Sequence, residues 1–233
     1  MKIKKLTGKI IQVIDLSPTA KEIRISLSEP IDFIPGSFVN VFMNIDGEKI
    51  RRAYSISSSQ KNQNEICLAI RHTPTGKITP LFWKRNMVGE TLELMGPLGL
   101  NTVDKMNSEK VYLFAFGVGA GVVKLIADYF TEIKKVKKLI IATGSRSEDE
   151  ILYKEYFDDL ANKIEGTSVL HVVTAKTEGS KKPQGFIQDH IGNFDFNDSD
   201  VYICGQEVAC NDLVGKIKSL NHVGCNFFIE GFH

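Results

Sequence analysis

The sequence predicts two domains, an antiparallel β-barrel over residues 1–102 and an α/β domain with a parallel sheet over residues 103–233. The chain has 233 residues, of which 42% are hydrophobic, and this is enough apolar material for two small cores. From residue 9 to 95, apolar residues mostly occupy every second position, which indicates strands with one buried face. After Gly99, buried apolar runs alternate with amphipathic stretches, which is the order of β-α-β units.

The first half reads as short strands separated by turns. Ile23, Ile25 and Leu27 alternate with polar residues, and Pro-Gly and Asp-Gly turn signals fall between such runs. A short helix is predicted to begin near Thr79 and to end before Gly89. Many short strands with one helix indicate a small barrel.

The second half alternates between strands and helices, and a polar stretch at 101–109 separates it from the first. This alternation predicts a parallel sheet with helices on both faces and ligands at the carboxyl ends of its strands. In chain order, we predict a strand at 111–116, a helix at about 121–134, a strand at 139–143, a helix near 149–163, strands at 169–174 and 201–204, a helix at 208–220 and a strand at 227–230.

Composition narrows the classes of function. Basic and acidic residues nearly cancel, 29 against 28, so the chain lacks the positive charge typical of nucleic-acid-binding proteins. The longest uncharged run, 111–123, is shorter than the roughly 20 apolar residues of a membrane helix. We interpret the amino terminus as mature protein and not as a signal peptide. We therefore expect a soluble cytoplasmic protein with no membrane span and no nucleic-acid partner. The four cysteines lack metal-ligand spacing, so free thiols and no metal site are expected.

An alternating motif, Arg-Ala-Tyr-Ser-Ile-Ser-Ser, occupies residues 52–58 on a predicted strand. Arg52, Tyr54 and Ile56 share one face, because side chains alternate along a strand. A guanidinium binds phosphate, an aromatic ring stacks on a planar ring, and a hydroxyl bonds to a ring heteroatom. The motif fits a cofactor with these groups, although an ordinary polar strand has the same pattern.

A second motif precedes the predicted helix of this half: Gly76-Lys77-Ile78-Thr79. The N-terminus of a helix binds phosphate through its free N–H groups, so this segment is a candidate phosphate loop. A helix capped by Thr79, with no ligand, explains the same residues.

A glycine-rich segment follows a predicted strand and opens a predicted helix: Gly117-Val118-Gly119-Ala120-Gly121-Val122. This context is right for a dinucleotide, but the strict fingerprint has glycine where Val122 stands. At the next strand end, Ser145 and Arg146 would suit the 2′-phosphate of NADPH, whereas Glu148 and Asp149 could serve NADH instead.

Two further predicted strand ends carry Cys204-Gly205 and Glu230-Gly231-Phe232. Ligands gather at such positions in parallel sheets. The simpler interpretation of Cys204 is a small buried residue, and that of Phe232 is terminal packing.

Taken in this order, the motifs resemble the ferredoxin-NADP reductase superfamily over nearly the whole chain. This superfamily includes flavin reductases, cytochrome b5 reductase and the reductase components of oxygenases. The resemblance implies that Arg52 binds the FAD pyrophosphate, Tyr54 lies against the isoalloxazine and Ser55 lies near flavin N5. The full set of implied FAD residues is Arg52, Ala53, Tyr54, Ser55, Arg71, Gly76, Lys77, Ile78, Thr79 and Phe232.

The resemblance also assigns a nicotinamide nucleotide, NADPH or NADH, to the second half. The implied residues are Gly117, Val118, Gly119, Ala120, Ser145, Arg146, Cys204 and Gly205. It implies Ser55, Cys204 and Glu230 as the catalytic residues around the contact of nicotinamide and flavin, with Phe232 as a movable cover.

The implied function is a reductase that passes a hydride from NAD(P)H to FAD and electrons to a separate acceptor, either a ferredoxin or flavodoxin, free flavin or an oxygenase component. Three positions depart from the family pattern: Val122 and Gln206 replace prolines, and Ala209 or Cys210 stands where methionine is common. These departures keep an alternative open, a flavin-binding electron-transfer subunit that does not itself oxidise NAD(P)H. A flavin-free nucleotide-binding module is the third hypothesis.

Overall fold

The computed structural model describes residues 1–175 and 182–232 of the chain. The chain divides into two compact units, Met1–Val103 and Asp104–His233, and each unit has its own sheet. Throughout the described residues, every helix falls short of the length and apolar character that a membrane crossing requires.

The first unit consists of β1 (Lys4–Ser17), β2 (Ala20–Leu27), β3 (Phe38–Ile45), β4 (Glu48–Ser55), β5 (Glu65–Arg71), the helix α1 (Leu81–Lys84) and β6 (Thr91–Leu98). Its strands form one antiparallel sheet in the order β4-β3-β6-β1-β2-β5. Ile23, Ile25 and Leu27 on β2 are buried, as the period of two predicts.

The sheet curls until its two edge strands, β4 and β5, meet. Ile56 and Leu68 form an isolated antiparallel bridge there, and the Ser57 N–H donates to the Cys67 carbonyl at 2.8 Å. This closure, which we call the seam, turns the sheet into a barrel and confirms the first part of the predicted fold class.

The helix predicted from Thr79 is much shorter than expected. α1 covers four residues and has no side-chain cap, and Arg85 directly after it is extended, with φ −150°. The Asn86 side chain then accepts a hydrogen bond from the Val88 N–H at 3.0 Å. This local bond competes with helical hydrogen bonding, as asparagine side chains often do, and the helix ends.

The main elements of the second unit, within its described residues, are β7 (Lys110–Phe116), α2 (Gly119–Asp128), β8 (Lys138–Ser145), α3 (Lys154–Lys163), β9 (Thr167–Val173), β10 (Ser199–Gln206), α4 (Glu207–Ser219) and β11 (Cys225–Phe232). A π-helical turn, Tyr129–Ile133, continues α2 to nearly the predicted end of that helix. The strand order is β11-β10-β7-β8-β9, and all adjacent strands are parallel. The second part of the predicted fold class is thus confirmed. The apolar run of β7, 111–115, is fully buried, as expected for a central parallel strand.

The order of the strands defines a switch point. From β7 the chain moves to β8 and β9 on one side and then returns to β10 and β11 on the other. Ligands in such sheets bind at the carboxyl ends of the two strands where the direction reverses. The candidate ligand site of this unit therefore lies at the ends of β7 and β10.

The helix predicted at 149–163 is divided in the structure. A short 3-10 helix covers Glu148–Glu150, and α3 begins only at Lys154. Between them, the side chains of Ile151 and Leu152 turn into the core, and Tyr153 adopts a left-handed conformation with φ 54°. Burial of this apolar pair prevents a continuous helix.

Candidate cofactor-binding sites

The predicted flavin motif lies on β4, an edge strand of the barrel, where residues 52–55 pair with residues 38–41 of β3. Arg52 is exposed, and its Nη1 donates to the Arg51 carbonyl at 2.8 Å. Tyr54 is half-buried, and burial raises the pKa of its phenol to about 12, against the opposing charge of Arg52. The neutral ring and the guanidinium belong to the same face of the strand, as ring stacking next to a phosphate contact requires.

Arg71 approaches the seam from the other strand. Arg71 is the last residue of β5 and lies three positions after Leu68. Ala53, on β4, lies three positions before Ile56, the bridge partner of Leu68. Because the strands are antiparallel, Ala53 and Arg71 lie on the same side of that bridge. The two edges of the seam therefore each carry an exposed guanidinium, Arg52 on one and Arg71 on the other.

The predicted phosphate loop is a turn held by its own hydrogen bonds. The Gly76 N–H donates to the Thr73 carbonyl at 2.8 Å, and the Thr73 N–H donates to Thr79 Oγ1 at 3.2 Å. Ile78 is 2% exposed, so its side chain anchors the loop in the core. Any contact of Ile78 with a cofactor would come from its backbone.

A cavity of about 260 Å³ lies beside this loop, within the first unit. Gly76 and Lys77 line it from the loop, Lys84 from α1, Asp46 from the β3–β4 turn and Glu48 from the start of β4. Lys77 forms an ion pair with Glu48. The cavity has room for part of a cofactor, and a phosphate bound there would compete with Glu48 for the ammonium group of Lys77.

At the switch point of the second unit, the glycine-rich segment meets the end of β10 backbone to backbone. A Cβ on Gly119 would lie 2.2 Å from the Cys204 carbonyl oxygen, and one on Gly205 would lie 2.5 Å from Phe116 Cβ. Glycine is required at both positions, because no side chain fits. Gly117, with φ 55°, turns the chain from β7 into α2. We call this junction the nucleotide cradle.

The N-terminus of α2 opens at the nucleotide cradle. Its first turn contains no acidic residue, and no side chain caps it. The positive end of the helix dipole therefore suits a diphosphate placed by Val118 to Ala120. Val122, which departs from the fingerprint, is 2% exposed and lies in the core. Its side chain does not stand at the helix terminus.

Ser145 and Arg146 lie at the end of β8, where their carbonyls accept hydrogen bonds from the N–H groups of Thr174 and Ala175 at 3.0 and 2.7 Å. Arg146 is exposed, and so is Asp149, whose Oδ1 accepts a hydrogen bond from Ser147 Oγ at 2.5 Å. The basic and the acidic side chains thus occur at the same edge. The choice between NADPH and NADH stays a prediction.

Cys204 and Glu230 lie opposite each other on β10 and β11. Cys204 is fully buried, and its Sγ is 4.0 Å from Glu230 Oε2. Burial raises the pKa of this thiol, and the negative charge of Glu230 raises it further, so the sulfur keeps its proton. Two of the three predicted catalytic side chains are therefore in contact within the second unit.

Tyr202, which was not among the residues predicted from the sequence, also contacts this pair. Its hydroxyl donates to Glu230 Oε2 at 2.7 Å from a fully buried ring. A tyrosine two positions before Cys204 in an apolar strand was the available signal, because a buried phenol needs a partner. Phe232, half-buried, pairs in register with Gln206 at the end of the same two strands. Ser55, the third predicted catalytic residue, belongs to the first unit.

Two family models match the chain in succession. Residues 7–102 match the oxidoreductase FAD-binding domain, and residues 113–213 match the oxidoreductase NAD-binding domain. These matches confirm the predicted cofactors, FAD and a nicotinamide nucleotide.

Curated relatives include reductases of oxygenase systems. The reductase component of phenol 2-monooxygenase from Pseudomonas sp. (strain CF600) is 27% identical over 235 residues, covering 97% of this chain and 65% of the relative. The glycine betaine monooxygenase reductase subunit of Pseudomonas aeruginosa is 26% identical over 179 residues, covering 74% of this chain and 49% of the relative. The chain thus spans about half to two thirds of the length of these relatives.

Solved structures share the fold. The ferredoxin NADP+ reductase from Neisseria gonorrhoeae with bound FAD and NADP has a TM-score of 0.83 and 15% identity, covering 99% of each chain. The cytochrome b5 reductase domain of Ulva prolifera nitrate reductase has a TM-score of 0.83 and 17% identity, covering 97% of each chain. With an FAD-binding domain followed by an NAD-binding domain on the predicted barrel and parallel sheet, the chain belongs to the ferredoxin-NADP reductase-like superfamily.

Proposed function

We propose that this chain is an NAD(P)H-dependent flavoprotein reductase that delivers electrons to a separate redox partner of the oxygenase-component or ferredoxin class. The observation that carries the proposal is the nucleotide cradle, in which Gly119 and Cys204 touch at the switch point of a sheet that follows a flavin-type barrel. The names of the relatives, reductase components of monooxygenases, support the choice of partner. Free flavin is a second candidate acceptor.

The first unit offers the groups that FAD needs. The exposed guanidinium of Arg52 would bind its pyrophosphate together with the loop at 76–79, and the ring of Tyr54 would stack on the isoalloxazine. Arg71 would contact the dinucleotide from the other edge of the seam. Ser57 Oγ is buried without a hydrogen-bond partner among the described residues, at the end of the same motif. An unpaired buried hydroxyl is unfavourable, so the motif fits the margin of a ligand site better than an ordinary strand. When bound, FAD supplies the conversion between two-electron and one-electron chemistry.

The second unit would bind and orient the nucleotide. Gly117 to Ala120 and the N-terminus of α2 would hold the diphosphate, and Arg146 the adenosine end. Cys204, protonated and buried, and Glu230 would border the nicotinamide, with Phe232 as a movable cover. The main role of the protein would be to orient the nicotinamide and the flavin, since their reacting atoms must approach to roughly 3–3.5 Å.

We place the reaction in the cytoplasm. All four cysteines, Cys67, Cys204, Cys210 and Cys225, are free thiols. Reduced thiols are the rule in that compartment, where disulfides are rare.

The alternative is an electron-transfer subunit that binds flavin but does not oxidise NAD(P)H. Gln206, exposed at the end of β10 in place of the family's proline, is the observation that favours it. Anaerobic mixing of the FAD-loaded protein with NADPH and with NADH decides between the two. Bleaching of the flavin band supports the reductase, whereas a bound flavin that stays oxidised with both nucleotides rejects it.

Flavin binding is tested with a matched pair of variants. Arg52→Ala should weaken FAD binding, because it removes the proposed phosphate contact, whereas Arg51→Ala on the opposite face of β4 should not. Both side chains are exposed, so neither change disturbs the core. Equal FAD affinity of the two variants would contradict the proposed role of Arg52.

A further inference from the structure

A tyrosine hydroxyl is buried inside the parallel sheet of the second unit. Tyr202, on β10, has 0% exposure. Burial raises the pKa of its phenol well above 10, and the charge of Glu230 raises it further. The hydroxyl therefore keeps its proton and acts as the donor in its 2.7 Å hydrogen bond to Glu230 Oε2.

The register of the strands directs this hydroxyl toward the carboxyl edge. Cys204 pairs with Glu230, and Tyr202 precedes Cys204 by two positions, so the three side chains share one face of the sheet. Glu230 is half-buried, whereas its two neighbours are fully buried. One carboxylate oxygen thus receives the phenol at 2.7 Å and lies 4.0 Å from the Cys204 sulfur.

We infer that Tyr202 is a positioning residue that holds the Glu230 carboxylate beside Cys204, at the strand end assigned to the nicotinamide. The inference rests on the proposed function. Phenylalanine would fill the same space without burying a polar group, so the hydroxyl needs a reason other than packing. Its bond to the carboxylate fixes the side chain and favours the ionised form of Glu230.

Among the described residues, two buried thiols and one further carboxylate interact with this cluster. Burial raises the pKa of Cys204 and also that of Cys210 on α4, the latter to about 12. Glu207, at the start of α4, acts on Cys210 and lies near Gly231. Tyr202 is a neutral hydrogen-bond donor to the Glu230 carboxylate, at 2.7 Å.

The test uses Tyr202→Phe and a matched control, Tyr112→Phe. Tyr112 is equally buried in the neighbouring strand β7, but its hydroxyl donates to the Asp195 carbonyl at 2.6 Å, and it lies on the opposite face of the sheet. Both changes remove one buried hydroxyl from the same sheet. Only Tyr202→Phe removes a donor from a carboxylate.

Two readouts are compared in the FAD-loaded protein. The first is the titration of the Glu230 carboxyl carbon by NMR, assigned through its absence in Glu230→Gln. Tyr202→Phe should raise its midpoint by about one to two pH units, because a hydrogen bond to a charged group is lost. The second is the rate of single-turnover flavin reduction as a function of pH. The part of this profile that depends on Glu230 is identified by its loss in Glu230→Gln, and in Tyr202→Phe it should shift to higher pH by the same amount. Tyr112→Phe should move neither.

The outcomes distinguish failure of the positioning role from failure of the proposed function. An unchanged midpoint in Tyr202→Phe, or a shifted midpoint with an unshifted kinetic profile, overturns the positioning role. If neither nucleotide reduces the wild-type flavin, the proposed function fails before any variant is compared, and this inference falls with it.

Discussion

Gly119→Ala is the sharpest test of the nucleotide cradle. The new Cβ would lie 2.2 Å from the Cys204 carbonyl oxygen and 2.6 Å from its carbon, whereas ordinary contact begins near 3.4 Å. These are backbone atoms, so no side-chain rotation relieves the clash, and α2 must move from β10 by about 1.2 Å. Overpacking of this kind costs about 1–3 kcal/mol. The nucleotide diphosphate is proposed to bind at this contact, so NAD(P)H affinity should fall as well. The fall is roughly tenfold for each 1.4 kcal/mol of binding free energy that is lost.

Calorimetric titration of the FAD-loaded variant with NADP+ and NAD+ measures the affinity, and urea unfolding measures the stability. The matched control is Gly215→Ala in the interior of α4, where nothing lies within 4 Å of the added Cβ. There alanine should raise the free energy of unfolding by up to about 1 kcal/mol and leave nucleotide binding unchanged. The nucleotide cradle does not have the proposed role if Gly119→Ala binds both nucleotides like the wild type and unfolds like Gly215→Ala.

Three further predictions concern other parts of the chain. Tyr54→Ala should purify with less FAD, because ring stacking contributes about 0.5–1.5 kcal/mol beyond area burial, and full flavin content measured by absorbance would contradict this. Arg146→Ala should raise the KM for NADPH more than that for NADH, and equal effects in steady-state assays would remove Arg146 from the choice of nucleotide. His171 is buried between Thr143 Oγ1 at 2.7 Å and Asp158 Oδ1 at 3.1 Å, and burial lowers its pKa below 6.5 against the opposing charge of Asp158. The unfolded chain then binds the proton more tightly, so stability should fall as the pH drops below about 6.5, and urea midpoints at pH 7.5 and 5.5 should differ less in His171→Gln than in the wild type.

Periodicity predicted the architecture because each sheet has its own hydrophobic pattern. The alternation around Ile25 on β2 and the unbroken apolar run at 111–115 on β7 reflect burial on one face and on two faces. The extents of helices were harder to predict. The left-handed Tyr153 and the side-chain bond of Asn86 end or interrupt helical patterns, and both depend on a local competition that propensity does not resolve.

The candidate site residues were also predictable only in part. Motifs that are continuous in sequence, such as residues 52–55 and 117–120, were visible because one strand or one loop carries all their groups. Tyr202 was not, since its role depends on Glu230, which is 28 residues away and reaches it only through the register of β10 and β11. Contacts across strands are set by tertiary pairing, which a single sequence does not display.

The closure at Ile56 and Leu68 makes the seam the place where the barrel can open most easily. Strands β3 and β4 are joined by eight paired positions, whereas the seam between β4 and β5 has one isolated bridge and the adjacent hydrogen bond from Ser57 to Cys67. A dinucleotide bound to both Arg52 and Arg71 would link the two edge strands across the seam. Amide hydrogen exchange along both edge strands should therefore slow when FAD binds. The free energy of opening the seam should rise with the logarithm of the free FAD concentration.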